Sequence, residues 1–434
     1  MTPGARIAAA IEVLDDILTR RRPAQDALKD WGLAHRFAGS KDRAAISSVV
    51  FDALRRKSSA AWIMQSDAPR AVVLGALRLQ RGLPLDEIAS LCSGERHAPA
   101  PLSEEERNTL ASATLDAAPL HVAADIPEWL APHFLAAFGE RALAEGRALA
   151  ERAPVDLRVN RLKTTRDNVL AALAHLNPQP TPFSQLGLRI APSPDGRAAA
   201  LNAEPAFVKG LIEIQDEGSQ LASLLCAAKP REQVLDLCAG GGGKTLALAA
   251  EMDNRGQIYA TDTDGRRLMQ IYARLERANV RNVQVRAPRG NADILADLNE
   301  RCDLVLVDAP CTGTGTWRRN PDAKWRIRPG ALAERIKAQD ALLARATAFV
   351  KPGGRIAYVT CSVLREENED RIGAFLQAYP QFALQSARGI TEGADLQNLL
   401  PFAMNEIGLR LSPATTHTDG FYIAMLTRGR DTAC

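Results

Sequence analysis

No run of roughly 18 uninterrupted apolar residues occurs in this 434-residue chain, so a membrane-spanning helix is not expected. Cysteine is scarce. The seven present are scattered, and no Cys-x-x-Cys pair is among them. An odd, scattered set argues against a disulfide framework or a zinc site and fits a reducing cytoplasm. The six histidines show no metal-ligand spacing, so no metal is expected. Charge of one sign is nearly lacking as well. A net charge of +3 is too small to announce nucleic-acid binding. No internal repeat or low-complexity tail is visible, and Met1 to Arg6 lead into an amphipathic helical pattern instead of a signal peptide.

The small net charge is unevenly placed. Residues 1–60 hold eleven Lys and Arg against seven Asp and Glu, a local +4. Arg20-Arg21-Arg22 and Arg55-Arg56-Lys57 form clusters that suit phosphate contacts or a solvated helix face equally. Ile7, Ile11, Leu14 and Leu18 repeat at helical spacing, as do Ile46, Val50 and Leu54, and residues 5–92 read as helices. Ser40 and Asp42 suit the N-cap of the second of these.

A chain of this length is expected to hold two or three domains, and a boundary falls near residues 120–125. Beyond it, Val155–Asn160 and Leu186–Ala191 alternate like strands around a helical stretch, a small α+β unit over 123–205. From about Ala206, strand candidates (Val234–Cys238, Gln257–Thr261, Val283–Arg286, Leu304–Val307, Arg355–Thr360) alternate with helical stretches. That pattern predicts a doubly wound, mostly parallel sheet over 206–434.

Val234 to Thr245 reads as a strand, a turn of Cys238, Ala239, Gly240, Gly241, Gly242 and Gly243, and a helix start at Lys244. Glycine lets the backbone approach a ligand, and the helix start offers free N–H groups. Asp262 ends the next strand candidate, where an acidic residue commonly holds ribose hydroxyls, with Asp264 as runner-up. Neither the Walker spacing nor Gly-x-Gly-x-x-Gly is present. A glycine turn with a ribose acid but no phosphate fingerprint suits S-adenosylmethionine, which carries no phosphate.

The run Leu304–Val307 delivers Asp308-Ala-Pro-Cys311 to a strand end, followed by Gly313 and Gly315; a second thiol, Cys361, follows Thr360. Ligands in open α/β sheets bind beyond such strand ends. A buried structural cysteine is the competing reading of the first stretch. Two thiols at adjacent strand ends have a chemical use, since addition of a thiolate to carbon 6 of cytosine makes carbon 5 nucleophilic.

Asp308-Ala-Pro-Cys311 with Thr360-Cys361-Ser362, Gln215 to Gln220, the glycine turn ending in Lys244, Arg319 to Trp325 and Asp419 to Tyr422 together resemble the RsmB/Sun (Fmu) family of RNA cytosine carbon-5 methyltransferases. Residues 1–122 resemble a NusB-like RNA-binding domain, mainly through Lys41-Asp-Arg43 to Leu54-Arg-Arg56. The resemblance implies a multidomain protein: an all-α NusB-like domain (1–122), a small α+β unit (123–205) and a Rossmann-like methyltransferase domain (206–434). It implies a cytoplasmic, monomeric enzyme using S-adenosylmethionine to make 5-methylcytidine in unpaired or melted 16S rRNA. A tRNA substrate, or a non-catalytic antitermination factor, is the alternative. It further implies Cys361 as nucleophile, Cys311 as the group assisting product release, Asp308 on the cytosine edge and near the methionine part of the cofactor, and Lys244 beside them. The reverse assignment of the cysteines is the alternative.

Two departures stand out. The family usually has Pro where this chain has Gly241, so the turn is expected to be more flexible. The family often carries an acidic residue after the third strand, where residues 286–291 read Arg-Ala-Pro-Arg-Gly-Asn; Asn291 or Asp293 is the candidate replacement. Trp317 to Arg328 interleaves basic residues with two tryptophans, which either stack on unpaired bases or belong to a core.

Overall fold

The computed structural model describes residues 1–193, 200–290 and 292–430. The expected cofactor contact Asn291 lies outside them. The chain divides into two compact units: residues 1–153 with 192–198 and 317–328, and residues 154–191 with 199–316 and 329–434.

The first unit is helical. Helices Pro3–Arg20, Ala24–Ala34, Ser40–Arg55, Lys57–Met64 and Pro69–Leu79 bury apolar stripes that include Leu14, Ile46, Leu54, Leu74 and Leu77. Helix Ser40–Arg55 is capped by Gly39, not by Ser40 or Asp42. Asp42 instead reaches back to accept the Gly39 N–H at 3.3 Å, and a glycine cap is nearly as good as a hydroxyl.

Residues 317–328 belong to this helical unit. Trp317 is 1% exposed and stacks on Phe134 with centroids 5.8 Å apart. Lys324 is buried and donates to the carbonyls of Arg55 (2.9 Å) and Asp125 (2.8 Å). The Trp325 indole N–H donates to Leu54 O at 2.6 Å. Of the two readings of this stretch, the core reading therefore holds for Trp317, Lys324 and Trp325. The basic clusters are likewise engaged: Arg22 pairs with Asp16 and Asp30, and the Arg55 guanidinium donates to Arg318 O at 2.8 Å.

The second unit holds two sheets. The smaller is antiparallel, from β1 (Val155–Val159), β2 (Gln179–Pro180), β3 (Gly187–Ile190) and β4 (Ile212–Ile214) in the order β2-β3-β1-β4. The larger contains β5 (Gln233–Asp236), β6 (Gln257–Ala260), β7 (Val283–Val285), β8 (Cys302–Asp308), β9 (Val350–Thr360), β10 (Phe382–Leu384), β11 (Leu409–Leu411) and β12 (Phe421–Arg428). Its order is β10-β12-β9-β8-β5-β6-β7, with β11 beside β12. Strands β5 to β9 pair in parallel and β10 to β12 antiparallel. The parallel strands are rich in Val, Leu and Ile with both faces covered, which is why Leu304 to Val307 and Ile356 to Val359 are all buried. Chain order reverses between β5 and β8, so a topological switch point lies at their carboxyl ends. That is where a crevice opens in such sheets.

Candidate functional site

Three strand ends meet at that switch point. β5 ends at Asp236 and feeds the glycine turn; β8 ends at Asp308; β9 ends at Thr360, directly before Cys361. Asp308 and Val359 are register partners, and Ala309 N–H donates to Val359 O at 2.8 Å. This pairing draws the Asp308-Ala-Pro-Cys311 loop alongside Cys361. The two sulfurs are 3.3 Å apart, and both residues are half-buried.

Glycine is required where the two thiol loops touch. Gly315 N–H donates to Cys361 O at 3.0 Å, and Gly420 N–H to Gly315 O at 2.8 Å. A Cβ on Gly315 would lie 2.2 Å from Gly420 O, so no other residue fits without moving the loop.

Lys244, in the first turn of helix Gly243–Glu251, places Nζ 2.7 Å from Asp308 Oδ2. Burial pulls the ammonium down, but the Asp308 carboxylate more than offsets it and the Lys244 pKa rises. The pair is therefore an ion pair at neutral pH. The Cys311 thiol is pushed well above the usual cysteine range by its hydrogen bond to Cys361 and by burial. It keeps its proton at neutral pH, and in the contact between the two sulfurs either one can donate. Burial likewise pushes up Cys238, and Cys226 and Cys302 each to about 12, which argues against these three as nucleophiles.

At the turn, Asp262 is buried and accepts Gly240 N–H at 2.8 Å through Oδ2 and Asp264 N–H at 2.8 Å through Oδ1. Each oxygen retains a second lone pair, a donor-poor arrangement that suits two neighbouring hydroxyls. Asp264, the runner-up, is occupied as the cap of the short helix Gly265–Leu268. Asp293 is exposed and accepts Leu295 N–H. Asp236 is fully buried, and burial raises its pKa to about 7 although Thr245 donates to it at 2.7 Å.

One contributor was not foreseen from the residues. Glu367 is buried behind the Cys311 loop, where it accepts Thr312 N–H at 2.8 Å, the Thr312 hydroxyl, and Gln339 Nε2 at 3.0 Å. Gln339 also donates to Pro310 O at 3.0 Å. The proximity of Glu367 to Cys361 in the chain is the only sequence signal, and it does not show that the carboxylate turns toward the other loop.

A family model described as 16S rRNA methyltransferase RsmB/F matches residues 223–427, and one for the ferredoxin-like domain of RsmF/B-like methyltransferases matches residues 126–195. The probable ribosomal RNA small subunit methyltransferase B of Synechocystis sp. is 34% identical over 70% of this chain and 66% of its own length. That of Sodalis glossinidius is 34% identical over 77% of this chain and 70% of its own. This chain belongs to the RsmB/F family. It spans about two thirds of the length of these relatives. The solved structure of PH0851 superposes with a TM-score of 0.73 at 26% identity, covering 98% of this chain and 99% of that one. Asp308, Cys311, Cys361 and Lys244 thus stand together at the strand ends beside the glycine turn, whereas Arg319 to Trp325 belongs to the helical unit.

Proposed function

We propose that this RsmB/F methyltransferase makes 5-methylcytidine in unpaired small-subunit rRNA, using S-adenosylmethionine and a covalent adduct of Cys361 with cytosine carbon 6. The observation that carries the reading is the pair of thiols beside the Lys244–Asp308 ion pair.

The residues divide the work as follows. The Cys361 thiolate forms the bond to carbon 6, moving the ring's electrons toward carbon 5. Asp308, paired with Lys244, accepts a hydrogen bond from the protonated edge of the ring and steadies the adduct. Asp262 and the turn from Cys238 to Gly243 hold the cofactor, which when bound supplies an electrophilic methyl group. Once carbon 5 is methylated, loss of its proton to a base returns the electrons and breaks the sulfur–carbon 6 bond. Cys311 stands within hydrogen-bond reach of the departing sulfur and so assists that release. The target base must leave its stack to reach both groups.

The test is transfer of labelled methyl groups from S-adenosylmethionine to small-subunit rRNA, with nucleoside digestion of the product. Labelled 5-methylcytidine is expected. Label on another nucleoside, or on tRNA alone, overturns the reading.

A further inference from the structure

Gly240 to Gly243 are four consecutive glycines, a stretch with much conformational freedom to lose. The structure holds the turn from outside, through two guanidinium groups. Arg274, on helix Ile271–Ala278, donates from Nη1 to Gly241 O at 2.7 Å and from Nη2 to Glu213 Oε2 at 2.9 Å. Arg158, on β1, donates from Nη1 to Gly243 O at 2.9 Å and to Gln215 Oε1 at 2.6 Å. Both anchors trace to the small sheet. Glu213 on β4 is the register partner of Arg158 and is 3% exposed. Its second oxygen accepts Arg277 Nη2 at 2.5 Å.

Gly241 is the glycine whose carbonyl accepts the Arg274 hydrogen bond. Its φ lies outside the left-handed region, unlike those of Gly240 (53°) and Gly242 (83°). Its N–H makes no hydrogen bond among the described residues. A Cβ there would approach Arg274 Nη1 at 3.4 Å and Gln270 Oε1 at 3.7 Å, with nothing closer. The site thus leaves room for a Cβ and loses no hydrogen bond if the N–H is removed. We propose that Arg274 and Arg158 are positioning residues for the cofactor turn, Arg274 supplying at Gly241 a restraint that four consecutive glycines do not supply themselves.

The assignment rests on the S-adenosylmethionine reading, and both are tested with S-adenosylhomocysteine as the calorimetric probe on the full chain. Four proteins are compared: wild type, Arg274→Met, Gly241→Pro, and the double variant. Hydrogen exchange over 238–244 and the thermal midpoint are measured alongside. Losing a charge-assisted hydrogen bond that orders the turn should raise the Kd of Arg274→Met about tenfold or more and speed exchange in the turn. Gly241→Pro alone sets the reference Kd and exchange against which the double variant is read. In the double variant, proline should restore the Kd and the exchange, because it removes chain freedom by a different route, while any fall in thermal midpoint caused by loss of the Glu213 pair persists. That split separates positioning from a merely structural role.

Arg274→Lys is the second variant, in case the methionine protein does not fold. It leaves a cation for Glu213 but lacks the fork that reaches two acceptors, so it too should bind weakly and be rescued by Gly241→Pro. An unchanged Kd in Arg274→Lys, or a loss that proline does not rescue, overturns the assignment. Failure of the wild type to bind S-adenosylhomocysteine overturns the cofactor reading itself.

Discussion

The Cys311 and Cys361 sulfurs stand 3.3 Å apart although fifty residues of chain separate them. Their meeting follows from parallel pairing of β8 with β9, which brings two consecutive strand ends to one edge. The two sulfurs are thus within hydrogen-bond reach before any substrate arrives.

The two cysteines should separate cleanly on substitution. Cys361→Ala should abolish methyl transfer, a loss of at least about a thousandfold, since the route through carbon 6 closes. Cys311→Ala should still form the adduct but release it slowly, giving an RNase-sensitive upward shift on a denaturing gel. A shift carried only by Cys361→Ala would reverse the roles.

Asp308→Asn should remove the charge that keeps Lys244 protonated against burial. The expected result is a large fall in kcat and a lower Lys244 pKa, read from the pH dependence of lysine labelling. Lys244→Met leaves Asp308 without its cation and should also lower kcat. Unchanged activity in either would remove the ion pair from the mechanism.

Glu367→Gln replaces an acceptor of three hydrogen bonds by an amide that can satisfy only part of the set. A stability loss of about 1–3 kcal/mol is expected in urea titrations. Release of the adduct should slow as well, because Thr312 follows Cys311 directly. A variant that loses stability but keeps wild-type turnover would confine Glu367 to folding.

The Asp308-Ala-Pro-Cys311 and Thr360-Cys361 strand ends were legible in the sequence because each follows a short run of buried β-branched and Leu residues. The parallel strands β5 to β9 emerged near their expected bounds for the same reason. Strand β12 did not. Phe421 to Leu426 is apolar throughout with a single β-branched residue, so it cannot be told from a buried helical segment by periodicity. Arg274 and Glu367 were silent because each works through carbonyls or N–H groups on a distant loop, and backbone acceptors leave no residue signature. Trp325 and Lys324 stayed open between two readings for another reason. A basic, aromatic segment reads the same whether its polar ends meet phosphates or buried carbonyls.

Lys324 predicts a pH effect on stability. Burial lowers its pKa to about 7, below its value in the unfolded chain. Above about pH 7 the unfolded state therefore binds more protons at this site, and stability should rise with pH from about 7 toward the unfolded lysine value. A neutral amine still has hydrogens for the Arg55 and Asp125 carbonyls. Lys324→Met should lose this rise, measured as the difference between urea midpoints at pH 7 and pH 9. An equal rise in the variant would show that another group supplies it.

The excursion of residues 317–328 into the helical unit bears on how this protein can be divided. Neither compact unit corresponds to one uninterrupted stretch of coding sequence. A gene starting at residue 154 would encode a catalytic half still carrying two tryptophans and a lysine shaped for an interior it no longer has. A shortened catalytic fragment is thus expected to be sticky unless those twelve residues are redesigned, and recombination at residue 153 alone would not exchange one helical unit for another.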